Sequence, residues 1–130
     1  ARARMEVEAR VPTLEAAERS EAVMAGLRPA DPDVALTVTG GLNRPPYEKS
    51  AEIARLFERA RRFAAEIGWD LEDLATGGCS DGNFTAPIAP TLDGLGVDGK
   101  GGHTDYEQLY VSSLAPRAAL IKRLMAEALA

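Results

Sequence analysis

Hydrophobic and polar positions recur along this chain with two different periods. Over residues 4–11 they alternate: Met5, Val7, Ala9 and Val11 fall on one side, and Arg4, Glu6, Glu8 and Arg10 on the other. A period of two predicts a strand with one wet face. Pro12 stops it, and Thr13 is placed to cap a helix whose apolar stripe is Leu14, Ala17, Met24 and Leu27. Gly26 and Pro29 stand where that helix should end. Val34, Leu36 and Val38 then alternate with Ala35, Thr37 and Thr39, which predicts a second strand.

Gly40-Gly-Leu-Asn-Arg-Pro-Pro46 interrupts the pattern and reads as a turn or hinge. Ser50 is placed as the N-cap of the clearest helix, in which Ile53, Leu56, Phe57, Ala60, Phe63, Ala64 and Ile67 recur at helical spacing. Arg55, Glu58, Arg59, Arg61, Arg62 and Glu66 cover its other side, a solvated face of mixed charge. Gly68 occupies the favoured position just past its end. Trp69 and Leu71 predict a short strand, residues 76–84 a glycine-rich turn opening a short helix, and residues 90–95 another short strand leading into a glycine loop. From Ser113 onward, Leu114, Ala118, Ile121, Leu124, Met125 and Leu129 predict a terminal amphipathic helix with Pro116 in its first turn.

Composition narrows the function classes. The net charge of −5 gives no basic face for nucleic acid. No apolar run approaches the roughly 20 residues that cross a bilayer. The start has no apolar signal-peptide core, and a single cysteine excludes an internal disulfide. A cytoplasmic protein that binds neither nucleic acid nor membrane is the expectation.

Three groups of residues invite chemistry. Gly94-Leu-Gly-Val-Asp-Gly99 matches the spacing of a dinucleotide fingerprint, but that motif works only between a strand and a helix, and here Lys100-Gly-Gly-His103 follows. Gly77-Gly-Cys-Ser-Asp-Gly82 either offers backbone N–H groups to an anion or is a turn in which Asp81 caps a helix. Cys79 reads as a packed turn cysteine rather than a nucleophile. His103, the only histidine, is followed by Asp105 and Glu107. Zinc takes three or four protein donors, so spacing alone leaves a metal role and a structural role both open.

The motifs Gly77-Gly-Cys-Ser-Asp-Gly-Asn-Phe, Pro90-Thr-Leu-Asp-Gly-Leu-Gly, Gly101-Gly-His-Thr-Asp-Tyr-Glu and Leu114-Ala-Pro-Arg-Ala-Ala-Leu occur in that order. Together with Asn43-Arg-Pro-Pro they resemble the C-terminal part of the zinc-dependent exopeptidases of the aminoacylase, glutamate carboxypeptidase, acetylornithine deacetylase and succinyl-diaminopimelate desuccinylase family. The resemblance implies an α/β protein in two parts. Residues 1–46 would be the last three elements, strand–helix–strand, of a ferredoxin-like α+β lid that commonly mediates dimerisation. Residues 47–130 would be the C-terminal part of the catalytic domain, a mixed sheet with flanking helices. In such a lid a further strand lies between those at 4–11 and 33–39. Without it, edges are exposed and association through the lid is expected.

The resemblance also implies two zinc ions in the complete enzyme, with cobalt or manganese as alternatives, and a small peptide or N-acyl amino acid as substrate. His103 matches the terminal histidine ligand, with Asp105 or Glu107 as acceptors behind it. Arg44 matches a lid arginine that reaches the substrate carboxylate. Gly78, Cys79 and Ser80 match the turn bordering the substrate, and Asn83 is grouped with them. Two departures stand out: Ala75 and Asn83 occupy places where relatives carry arginines that hold substrate carboxylates, which counts against a dicarboxylate. The family's other ligands and its general base lie upstream of the matched region, so no catalytic residue is expected here. The implied function is a fragment of a di-zinc metallohydrolase of carboxypeptidase or N-acyl amino acid deacylase type, inactive alone. The alternative is a non-enzymatic interaction or oligomerisation module derived from such an enzyme.

Overall fold

The computed structural model describes residues 1–128. It contains helices α1 (Leu14–Ala25), α2 (Ala51–Glu66), α3 (Gly82–Thr85) and α4 (Val111–Ala128), and a two-stranded antiparallel sheet of β1 (Gly99–Lys100) and β2 (Gln108–Leu109). The chain is therefore a mixed α/β protein with little sheet. Two compact units can be told apart: residues 1–48 with 76–89, and residues 49–75 with 90–128.

In the first unit, Thr13 caps α1 as its sequence dictates, with Oγ1 accepting the Ala16 N–H at 3.2 Å. The Glu48 carboxylate accepts the Leu14 N–H at 2.8 Å, satisfying another of the helix's orphan donors. The helix ends at Gly26, but its stripe is shallow: Ala17 is buried, while Leu14 and Leu27 are exposed. The strands expected at 4–11 and 33–39 are not formed, since neither segment enters a ladder among the described residues. The cause is the absence of a partner. A strand's N–H and C=O groups need a neighbour, and these two segments do not pair with each other. Met5, Val7, Val34, Leu36 and Val38 consequently stay exposed.

The second unit is organised by α2. Ser50 Oγ accepts the Ile53 N–H at 3.2 Å. At the other end, the Trp69 N–H bonds the Ala64 carbonyl at 2.9 Å and the Gly68 N–H the Ala65 carbonyl at 3.0 Å. That is a Schellman motif, and it requires the left-handed φ of +80° that Gly68 supplies. The buried face of α2 is Ile53, Ala60, Phe63 and Ala64. Ala60 and Phe63 cluster with Leu120 of α4, and Trp69, Leu71, Leu92, Leu95 and Leu124 pack around them. The strands expected at Trp69–Leu71 and Pro90–Leu95 are irregular segments instead. Their apolar side chains were read as strand faces, yet they cover the helix pair without making a ladder.

Helix α4 also departs from expectation. It begins at Val111, so Pro116 lies in its second turn rather than its first. Its inward face is Leu120 and Leu124 with Ser113 and Arg117, whereas Leu114, Ala118 and Met125 are exposed. Ile121 and Leu124 of the expected stripe lie on the less exposed side, while Leu114, Ala118 and Met125 do not, because Leu120 and the stem of Arg117 take the covered positions. Leu129, the last residue of the expected stripe, falls outside the described residues.

The start of α2 makes stability depend on pH. Glu52 lies in the first turn, and its carboxyl is held below its ordinary value by its own backbone N–H first, then by the Ser50 hydroxyl and Arg55. A carboxyl depressed in the folded state contributes stability above its unfolded pKa and loses it as pH falls through the lower folded value. Thermal melts followed by circular dichroism should show stability falling as pH drops below about 4.3. Glu52→Gln should flatten that dependence and lower stability at neutral pH.

Candidate functional site

Each unit contains one candidate region. In the first, the glycine-rich turn runs into α3 and meets the Arg-Pro-Pro segment. Arg44 Nη1 donates to the Ser80 carbonyl at 2.8 Å. Its guanidinium lies 5.0 Å from the Phe84 ring centroid and 3.9 Å from Asp81 Oδ1. Asn83 joins the two segments from the other direction. Its Nδ2 donates to the Pro45 carbonyl at 2.8 Å, and its Oδ1 accepts the Ser80 N–H at 2.8 Å. Ser80 Oγ accepts the Gly82 N–H at 3.0 Å. Arg10 Nη1 donates to the Gly77 carbonyl at 2.9 Å, steadying the start of the turn.

Ser80 thus bonds both Arg44 and Asn83, and Gly78 and Cys79 are exposed on the same turn, so Cys79 is not the packed cysteine expected there. The Ser80 bond takes one of the five N–H donors a guanidinium carries. The two bonds of Asn83 need a donor and an acceptor on one planar amide, which only Asn or Gln provides. Aspartate has no donor for the Pro45 carbonyl. Asn83→Asp is therefore expected to cost about 1–3 kcal/mol in urea unfolding. Asn83→Ala, which leaves both partners unpaired, should cost a similar amount.

In the second unit, β1 and β2 pair Gly99 with Leu109 and Lys100 with Gln108, and residues 101–107 form the loop between them. The Thr104 N–H and Oγ1 both bond the Gly101 carbonyl, at 3.0 and 2.7 Å, and the Glu107 N–H bonds the Thr104 carbonyl at 3.2 Å. Gly101 has φ +70°, and a Cβ there would meet the Tyr106 ring at 2.7 Å, so the loop admits only glycine at this point. His103 is exposed and has φ +66°, the left-handed region that histidine enters more readily than most residues. Its backbone N–H bonds Glu107 Oε2 at 3.2 Å. Glu107 therefore holds the loop through the His103 backbone. Gly94, Gly96 and Gly99 lead into a strand and a loop and not a helix, which removes the geometry a dinucleotide site needs.

Among the described residues, no three His, Cys, Asp or Glu side chains gather where they could hold a metal ion. One exposed imidazole is a single ligand, so the side chains described here do not by themselves fit a complete zinc centre. None of the described helices is long and apolar enough to cross a membrane.

The model of peptidase family M20/M25/M40 matches residues 8–127. The chain belongs to this family. No curated protein and no solved structure matches it. Membership of M20/M25/M40 places the chain among hydrolytic metallopeptidases, whose enzymes typically use metal ions.

The residue that sequence reasoning passed over in this M20 peptidase chain is Arg117. Its guanidinium stacks 4.6 Å from the centroid of Trp69, and its Nη1 donates to the Gly94 carbonyl at 2.9 Å. The available signal was its place three residues before Leu120, on the same helix face.

Proposed function

We propose that this chain is the C-terminal portion of a di-zinc carboxypeptidase or N-acyl amino acid deacylase, hydrolysing an amide bond beside a substrate carboxylate. The observation that carries the reading is a family match spanning residues 8–127, coupled with an exposed His103 on a hydrogen-bonded loop. His103 contributes one metal ligand through its neutral imidazole. The ions, held mainly by other residues of the complete enzyme, supply Lewis acidity and an acidified water. Arg44 binds the substrate carboxylate with N–H donors beyond the one given to Ser80. Gly78, Cys79 and Ser80 border the substrate, and Asn83 keeps that turn against Pro45. The chain alone is inactive.

The test uses the longer polypeptide carrying the family's remaining ligands. Amino acid release from a panel of N-acyl amino acids and dipeptides is measured with zinc, cobalt or manganese added. Hydrolysis that depends on metal and on His103 supports the reading. An absence of hydrolysis with every metal and substrate counts against it.

Residues 1–46 are read as part of a lid that associates with a second copy. The support is the exposed alternation of Met5, Val7, Val34, Leu36 and Val38, an apolar set on segments that join no strand ladder among the described residues. Light scattering across micromolar concentrations should show mass rising with concentration. Leu36→Lys should lower the associated fraction. A monomer at every concentration would contradict the assignment.

A further inference from the structure

We infer that Arg117 is the positioning residue of the His103 loop, held in place by the face of Trp69. The hairpin that carries His103 stands on Asp98 and Tyr110, the residues just outside its two strands. They are tied to each other, since the Tyr110 N–H bonds the Asp98 carbonyl at 2.8 Å. Both are tied to the start of α4 through Ser113. Its Oγ accepts the Asp98 N–H at 2.9 Å and donates to the Tyr110 carbonyl at 2.6 Å. These bonds tie the foot of the hairpin to α4, but Asp98 is also the end of the incoming segment, residues 94–98, so their hold depends on how that segment approaches.

Arg117 determines that approach. Its Nη1 holds the Gly94 carbonyl, and its Nη2 lies 3.9 Å from Asp98 Oδ2, so one guanidinium spans both ends of the segment. The guanidinium lies over the Trp69 ring, 4.6 Å from its centroid, and the side chain is only 17% exposed. Trp69 in turn packs on the Ala60, Phe63 and Leu120 cluster, which connects the loop's position to the core of this unit. Beside the clamp is a concavity of about 210 Å³ lined in part by Trp69, Tyr110, Pro116 and Arg117. Lysine is no substitute, because a point charge cannot stack flat while reaching two acceptors.

That the loop serves hydrolysis rests on the reading of His103 given above; that Arg117 sets its position does not. The test is made on the ¹⁵N-labelled chain without metal. Arg117→Met should speed exchange of the Tyr110 amide about tenfold, the loss expected for a charge-assisted hydrogen bond next to it. Chemical-shift changes should spread through residues 94–109, including His103, with helix content unchanged. Arg117→Lys should fail to restore Tyr110 protection, and it serves as the reading if the methionine variant does not fold. Unchanged Tyr110 exchange in both variants, with shifts confined to α4, would overturn the inference. Metal content of the longer polypeptide, with and without His103→Ala, tests the other reading separately. If the substitution leaves bound metal unchanged, the metal assignment fails while the Arg117 result stands.

Discussion

A hydrolase containing this chain is expected to lose one bound zinc and roughly a thousandfold in kcat/KM when His103 becomes alanine. The magnitude follows from several kcal/mol of transition-state stabilisation by a metal ion, at 1.36 kcal/mol per tenfold. Folding should be nearly untouched, because the imidazole is exposed and the loop is held by Gly101, Thr104 and Glu107. One small structural cost is foreseeable, since histidine enters the left-handed region somewhat more readily than alanine. His103→Gly separates the two effects, since glycine accepts φ +66° without strain but brings no ligand. Both variants should therefore lose metal, measured by elemental analysis, and both should lose turnover. Full zinc content with near-normal activity in the glycine variant would remove His103 from the metal site.

Leu120→Ala is expected to destabilise the second unit by about 2–5 kcal/mol, enough to remove much of the stability of a small domain. Leu120 is 1% exposed and meets Ala60 and Phe63 of α2 where the two helices touch. Ala60 is fully buried but too short to fill the vacated space, so the cost depends on how far Phe63 can follow. The single tryptophan is a convenient reporter, because Trp69 packs against this cluster. Urea unfolding followed by its fluorescence should show a lower midpoint. Met125→Ala, three-fifths exposed on the same helix, should change the midpoint little. Equal effects of the two substitutions would mean that the inward face of α4 has been misassigned.

The helices were legible because local chemistry specifies them. Thr13 and Ser50 cap where their hydroxyls were expected to, and Gly68 ends α2 with the left-handed turn its position implies. The motifs that resemble the exopeptidases pointed to the family, and the match over residues 8–127 establishes it. The strands were less legible. Alternation at 4–11 and 34–39 describes what a sheet would accept, but a ladder also needs a second strand in register. Leu92 and Leu95 show the same limit, since apolar residues cover a helix pair as readily as they enter a sheet.

The sequence by itself determined the caps of α1 and α2, the family and the glycine-flanked setting of His103, because each depends on neighbours along the chain. Only the tertiary structure decided which face of α4 turns inward, that Asn83 bridges Pro45 and Ser80, and that the Arg117 guanidinium lies over the Trp69 ring. Those outcomes depend on groups brought together from distant positions. An arginine's apolar stem and planar head let it cover a core that its charge would seem to exclude.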